Sequence, residues 1–237
     1  MFSKCNGAKP SRYIRHRPLL AINKVRLCLI VGLAWLSLSA CANPIEWQVY
    51  KQQDDIKVSY KKHDTGIIEI NASVLVKNAK ASDFMALLSD TENAPNWLEN
   101  VKSVTLMERL SPSETLVYTH FNSPWPVSDR DLVSYSCYRA LGEHKTELQI
   151  KSQPYAKAEV AGVVRIKNLT AYWRLEQQQN DLLVSHQAYA DPSGSIPYWL
   201  SNKVSLKSVY KTLQSLREQL TNNQFSRTKT SSIPGNC

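Results

Sequence analysis

Ser195-Ile-Pro-Tyr-Trp-Leu-Ser-Asn-Lys-Val-Ser-Leu-Lys-Ser-Val-Tyr-Lys-Thr-Leu-Gln-Ser-Leu-Arg-Glu-Gln-Leu220 is where the period of the sequence changes. Within it Ile196, Trp199, Leu200, Lys203, Leu206, Val209, Leu213, Leu216 and Leu220 recur at three- and four-residue spacing. Lys207, Lys211, Arg217 and Glu218 fall elsewhere on the wheel. The spacing predicts one long amphipathic helix beginning near Ser195 or Pro197, proline being well suited to a first helical turn.

Upstream, between Trp47 and Ala190, the dominant period is two. Ile68, Ile70, Ala72, Val74 and Val76 alternate with Glu69, Asn71, Ser73, Leu75 and Lys77. Thr115–Asn122, Asp131–Arg139, Glu147–Ser152, Val163–Glu176 and Leu182–Tyr189 also read as strands, rich in Val, Ile, Thr, Tyr and Trp. Turn signals separate them at His63-Asp64-Thr65-Gly66, Leu141-Gly142-Glu143 and Gln179-Asn180-Asp181. Two short helical segments interrupt the pattern. Ser82 is placed to cap Asp83–Asp90, and a turn around Asn93–Asn100 carries Trp97 and Leu98. The fold class is therefore α+β: a curved antiparallel sheet followed by one long C-terminal helix. The apolar stripe of that helix must be buried, and the concave face of the sheet is the surface available. A single helix laid across a strongly curved sheet leaves a cavity, where a ligand site is expected.

Further outward lies the leader. The chain has 237 residues with 29 Lys and Arg against 20 Asp and Glu, a net charge of +9. Seven of the bases (Lys4, Lys9, Arg12, Arg15, Arg17, Lys24 and Arg26) fall in residues 1–40, which contain no acid. Removing them leaves 22 bases against 20 acids, so the basicity belongs to the leader and is no argument for a nucleic-acid surface. Leu27–Ile45 is uncharged, Leu27–Leu38 is strongly apolar, and small residues follow. That is the layout of a secretory signal, and residues 1–41 are assigned to it. At 19 uncharged residues ending in polar ones, the stretch is short for a permanent span, which needs about 20 predominantly apolar residues. Two cleavage readings stand. Leu38-Ser39-Ala40-Cys41 matches the bacterial lipobox, making Cys41 a candidate lipidation site and membrane anchor. Ala40-Cys41-Ala42 also fits the A-x-A rule, which releases Asn43. The expected location is the periplasm or an envelope membrane, with a Gram-negative bacterium as source.

Three sequence blocks carry a resemblance. They are Asp90-Thr91-Glu92-Asn93-Ala94-Pro95-Asn96-Trp97, Ser123-Pro124-Trp125-Pro126-Val127-Ser128-Asp129-Arg130-Asp131-Leu132-Val133, and Asp191-Pro192-Ser193-Gly194-Ser195-Ile196-Pro197-Tyr198-Trp199-Leu200. In that order before a terminal helix, they resemble START domains. These are lipid-transfer modules related to steroidogenic acute regulatory protein, within the helix-grip superfamily that includes the birch-pollen allergen fold. The resemblance spans Trp47–Leu220 and sets the domain at 43–220, leaving 221–237 as a flexible polar tail. It implies a curved sheet wrapped around the C-terminal helix, with short helices after the third strand. It also implies a hydrophobic ligand, lipid or isoprenoid-like, held between the two and released when the helix or nearby loops open.

Carried over by position, the resemblance places Thr119, Phe121, Ser134, Ser136 and Tyr138 on inward-facing strand positions and Trp125 in a stiff loop. Ile196, Trp199, Leu200 and Lys203 would form the helix wall near the mouth. Sterol-binding members carry an acidic and a basic side chain where Phe121 and Ser136 stand, a departure that argues for a more apolar pocket. Arg130 and Asp131 read as a strand-opening pair making ion pairs or backbone hydrogen bonds. An enzyme of the cyclase or aromatase type on the same fold is one alternative, and a membrane-tethered interaction module without ligand is another. The enzyme would need a titratable group in the cavity. His120 and His186 are the candidates, although both read as half-exposed strand residues and His120 faces away from Phe121. There is no G-x-S-x-G elbow, CxxC, HExxH or Gly-rich phosphate loop, so no cofactor and no metal are expected. Cys137 and Cys237 remain beyond the leader, and a loose tail end argues against their pairing.

Overall fold

The computed structural model describes residues 46–123, 127–223, 225 and 233–237, all within the unit Pro44–Cys237. The leader, Cys41 and the Pro124-Trp125-Pro126 segment lie outside the described residues. Ten strands form one curved sheet: β1 Gln48–Gln53, β2 Ile56–Lys62, β3 Ile68–Val76, β4 Val101–Ser111, β5 Glu114–Phe121, β6 Arg130–Gly142, β7 Lys145–Ser152, β8 Val164–Arg165, β9 Asn168–Gln178 and β10 Asp181–Asp191. The order across the sheet is β1-β2-β3-β10-β9-β7-β6-β5-β4, antiparallel, with β8 joining β6 in parallel. Between β3 and β4 come helix α1, Ala81–Ser89, and a 3-10 turn, Ala94–Asn96; helix α2, Tyr198–Thr221, follows the sheet.

Local chemistry explains most of these boundaries. Asp54 and Asp55 both take positive φ, giving the two-residue turn whose twist matches the flanking β1 and β2. Helix α1 starts one residue before Ser82, with Lys80 as N-cap, and the Asp83 carboxylate accepts the Lys80 backbone N–H at 3.0 Å. The stretch Val163–Glu176 is not one strand. It breaks at Ile166-Lys167, where β8 leaves the β6 edge and the chain crosses to β9. Two strands carry no clear alternation. β1 is exposed along its whole length, and β4 is mostly exposed with its register to β5 shifting at three places.

Helix α2 lies against β2 and β3. Its C-terminal half is sealed into the core: Leu213 and Leu216 have no exposed surface, and Tyr210 and Leu220 are buried beside them, with Leu206 joining from the turn before. Phe84 and Leu87 of α1 join the same cluster with Ile56, Val58, Val74 and Val184 from the sheet. Polar contacts pin the helix from outside. Asn100 Nδ2 donates to Ser208 Oγ at 2.6 Å, Glu99 pairs with Lys211 at 2.8 Å, and Arg217 donates to the Asp54 carbonyl.

The tail departs from expectation. Cys237 is disulfide-bonded to Cys137 of β6, 100 residues away in sequence. Main-chain bonds hold it in place: Gly235 N–H donates to Tyr138 O at 2.9 Å and Ile233 N–H to Pro112 O at 3.2 Å. A segment docked along β6 in this way brings its thiol to a fixed place, which a frayed end would not do.

Candidate functional site

Side chains of cross-strand partners project to the same side of a sheet, so register alone defines the inner face. Phe121 stands opposite Arg130 and Thr119 opposite Leu132. Ser136 faces Ile150, which faces Ala171, then Ala188, then Ile70. Between this face and the N-terminal half of α2 is a cavity of about 300 Å³. That is near the lower end of the roughly 300–1,000 Å³ range of ligand pockets. Ile68, Ile70, Ala188 and Ala190 form its floor. Ile196, Leu200, Val204 and Val209 form its roof, and Phe121, Val127 and Ile166 close one end. Asn122, Ser123, Ser205 and Ser208 give it a polar rim.

Two turns position the roof. At φ +88° Gly66 brings its turn so close to α2 that a Cβ there would sit 3.0 Å from the Tyr198 ring, and its carbonyl accepts from Asn202 Nδ2 at 2.9 Å. At φ +70° Gly194 turns the chain into α2 beside Val164.

Of the residues expected at the site, Phe121, Ile196 and Leu200 line the cavity. Thr119, Ser134, Ser136 and Tyr138 are buried on the same inner face but do not line it. The Tyr138 hydroxyl donates to Thr146 Oγ1 at 3.2 Å, and burial pushes its pKa up. Two placements on the helix are corrected: Trp199 is 70% exposed and Lys203 is also exposed, both on the solvent side of α2 rather than its wall. A stripe nine residues long is wider than the strip a single cavity contacts, and these two sit at its edge. Trp125 lies outside the described residues.

The histidines are separated. His120 pairs with Asp131 across the ladder, on the opposite face from Phe121, and its Nε2 lies 2.9 Å from Asp129. Hydrogen bonds from His120 and from the Ser123 N–H hold the Asp129 carboxyl below its ordinary range. His186 is a partly buried strand residue, as expected. It stands on the inner face, stacked on Trp173 with ring centroids 4.0 Å apart. Its Nδ1 lies 3.2 Å from Tyr172 O, and burial pushes its pKa down to about 4. Neither lines the cavity. Among the described residues no cluster of His, Cys, Asp and Glu is arranged to hold a metal.

Arg130 lines the cavity and is the functional candidate that sequence reasoning passed over. The signal was present: Arg130 has the same parity along β6 as Ser134, Ser136 and Tyr138. Its neighbour Asp131 makes the expected ion pair instead, on the other face, with Arg165 at 2.6 and 2.9 Å. Both members of that pair are shut away from solvent, and Arg165 also donates to the carbonyls of Pro154, Lys157 and Ala158.

A START domain family model matches residues 33–225. The human phosphatidylcholine transfer protein is 25% identical over 179 residues, covering 72% of this chain and 82% of that one. An uncharacterized protein of Pseudomonas aeruginosa is 26% identical over 197 residues, 79% of this chain and 93% of its own. Among solved structures, a STAR-related lipid transfer protein fragment from Xanthomonas axonopodis superposes with a TM-score of 0.68 at 28% identity. It covers 73% of this chain and 98% of that fragment.

Proposed function

The chain belongs to the START domain family, and on that footing we propose that it binds one hydrophobic molecule, a lipid or isoprenoid-like compound, and transfers it within the bacterial envelope. The observation that carries the reading is the apolar cavity of about 300 Å³ between the inner sheet face and the N-terminal half of α2. The phosphatidylcholine transfer protein and the Xanthomonas lipid transfer protein named above support a lipid as the cargo. Entry and exit past the roof of Leu200, Val204 and Val209 are by movement of α2 or of the loop ahead of β6.

We take the activity to be binding without a chemical step. Of the charged groups at the cavity, Glu99 is held by Lys211 and Arg130 by neutral oxygens. His120 sits on the outer face. Export to the envelope is supported by the basic-then-apolar leader ending near Cys41, and by the Cys137–Cys237 disulfide, a bond that persists in oxidising compartments. Lipidation at Cys41 would hold the domain on a membrane next to its cargo.

Native mass spectrometry with organic extraction tests the reading, on the full chain purified from a bacterial host without added lipid. One lipid mass per chain, recovered in the extract, is the expected result. A bare protein mass that stays bare after incubation with envelope lipids would sink it.

A further inference from the structure

Among the described residues, the cavity holds one cation that no carboxylate answers. Arg130 Nε donates to Pro192 O at 3.2 Å, and Nη1 to Ser128 O at 2.7 Å and Ser123 Oγ at 3.5 Å. Nη2 reaches Ser193 O at 3.5 Å. All four acceptors are neutral, and two of the four contacts sit at the outer limit of a hydrogen bond. Three other arginines meet carboxylates, while the partly buried Arg217 meets the Asp54 carbonyl on the outside of the cavity. Arg165 meets Asp131, while Arg139 and Arg174 both meet Glu147, at 2.6 and 2.7 Å. Asp129, next in sequence to Arg130, is committed to His120 and the Ser123 N–H. Burial alone acts on the Arg130 guanidinium, pushing its pKa down from the ordinary value.

A guanidinium offers five N–H donors in a rigid fork that matches a carboxylate or phosphate edge. Here one Nη2 hydrogen is unspoken for, and the two longest contacts are the ones most easily exchanged. A half-buried charge without a counter-charge is unfavourable until an anion arrives, and the bond it then forms is strengthened by the low local dielectric. From this geometry we infer that the cargo is an amphiphile with a single anionic head, carboxylate or phosphate, seated on Arg130. Its apolar body lies along Ile68, Ile70, Ala188 and Leu200. The inference rests on the lipid-binding reading and narrows it. The apolar body supplies bulk affinity through buried area, at about 25 cal/mol per Å². The head selects among lipids and fixes which end points to the β5–β6 and β10–α2 loops.

The test compares four probes on the full chain: dodecanoate, dodecyl phosphate, dodecanol and inorganic phosphate. Their dissociation constants are measured by calorimetry for the wild type, Arg130→Lys and Arg130→Met. The two anionic amphiphiles should bind the wild type on the order of 10- to 100-fold more tightly than dodecanol, the worth of a charge-assisted hydrogen bond. Arg130→Met should abolish that preference, so that dodecanoate, dodecyl phosphate and dodecanol bind it alike, and its dodecanol binding reports whether the pocket is intact. Arg130→Lys, keeping the charge without the fork, should fall between. If Arg130→Met does not fold, the wild-type ratio and the lysine variant decide. Equal binding of alcohol and acid by the wild type, or a preference that survives Arg130→Met, would overturn the inference while leaving lipid binding standing. Displacement of dodecyl phosphate by millimolar inorganic phosphate would overturn it in favour of a free-anion site. If none of the amphiphiles binds, the lipid-binding reading falls and takes the inference with it.

Discussion

Two side chains on opposite faces of the sheet show how differently burial can be compensated. His186 is partly buried against Trp173 and carries no charge at neutral pH, its pKa pushed down to about 4 by burial. In the unfolded chain an imidazole titrates near 6.5. Between these values the unfolded state binds the extra proton, so stability rises with pH from about 4 to 6.5 and is complete above it. A difference of that size corresponds to about 3 kcal/mol, an order-of-magnitude figure. Thermal melts at pH 4.5 and 7 should show the wild type losing more stability on acidification than His186→Gln; equal losses would refute the assignment. Asp131 takes the other course. Burial would raise its pKa, but the Arg165 hydrogen bonds and charge outweigh that and keep it ionised below its ordinary range. Asp131→Asn leaves the Arg165 charge buried and unpaired, at an expected cost of about 3–5 kcal/mol in urea unfolding. The double variant Asp131→Asn/Arg165→Met should lose less than the single. If it loses more, the pair is not what limits stability there.

The elements divide by whether one side of each packs on something. β3 was legible because every second residue is buried, and β5, β6, β7, β9 and β10 because β-branched and aromatic residues run along them; parity then put Thr119, Phe121, Ser134, Ser136 and Tyr138 on one face. β1 and β4 were not legible, since an exposed edge strand needs no alternation and each bulge in β4 resets its phase. The same reasoning splits α2. Its wheel shows a stripe but cannot say which turns meet core and which meet empty space. Leu213, Leu216 and Leu220 meet core, whereas Leu200 and Val204 meet the cavity. The N-terminal half is therefore held by fewer core contacts, Leu206 among them, and by Asn202 on the Gly66 carbonyl and Asn100 on Ser208. Opening free energies follow buried apolar contact, so amides of residues 202–208 should exchange with deuterium faster than those of 213–220. Uniform protection along α2 would argue that the helix does not open from that end.

At the scale of the whole molecule, the Cys137–Cys237 bond closes a loop of 100 residues that contains β7 to β10 and α2. Closing a loop of that length removes enough unfolded-state entropy to stabilise by about 2–5 kcal/mol. Cys237→Ser, or dithiothreitol added to the wild type, should lower the urea midpoint by the corresponding amount, and combining them should add nothing further. An unchanged midpoint under reductant would show that the docked tail contributes no constraint. Sequence reasoning missed the bond because nothing in two isolated cysteines reveals that Gly235 lies beside Tyr138. The clasp also imposes an order on the making of the protein. Its second half is synthesised only after all ten strands and α2 exist, so the Cys137 thiol waits unpaired while the rest of the chain emerges. The sheet must first find its pairing on non-covalent contacts. Oxidation then fastens an arrangement already reached, rather than guiding the chain toward it.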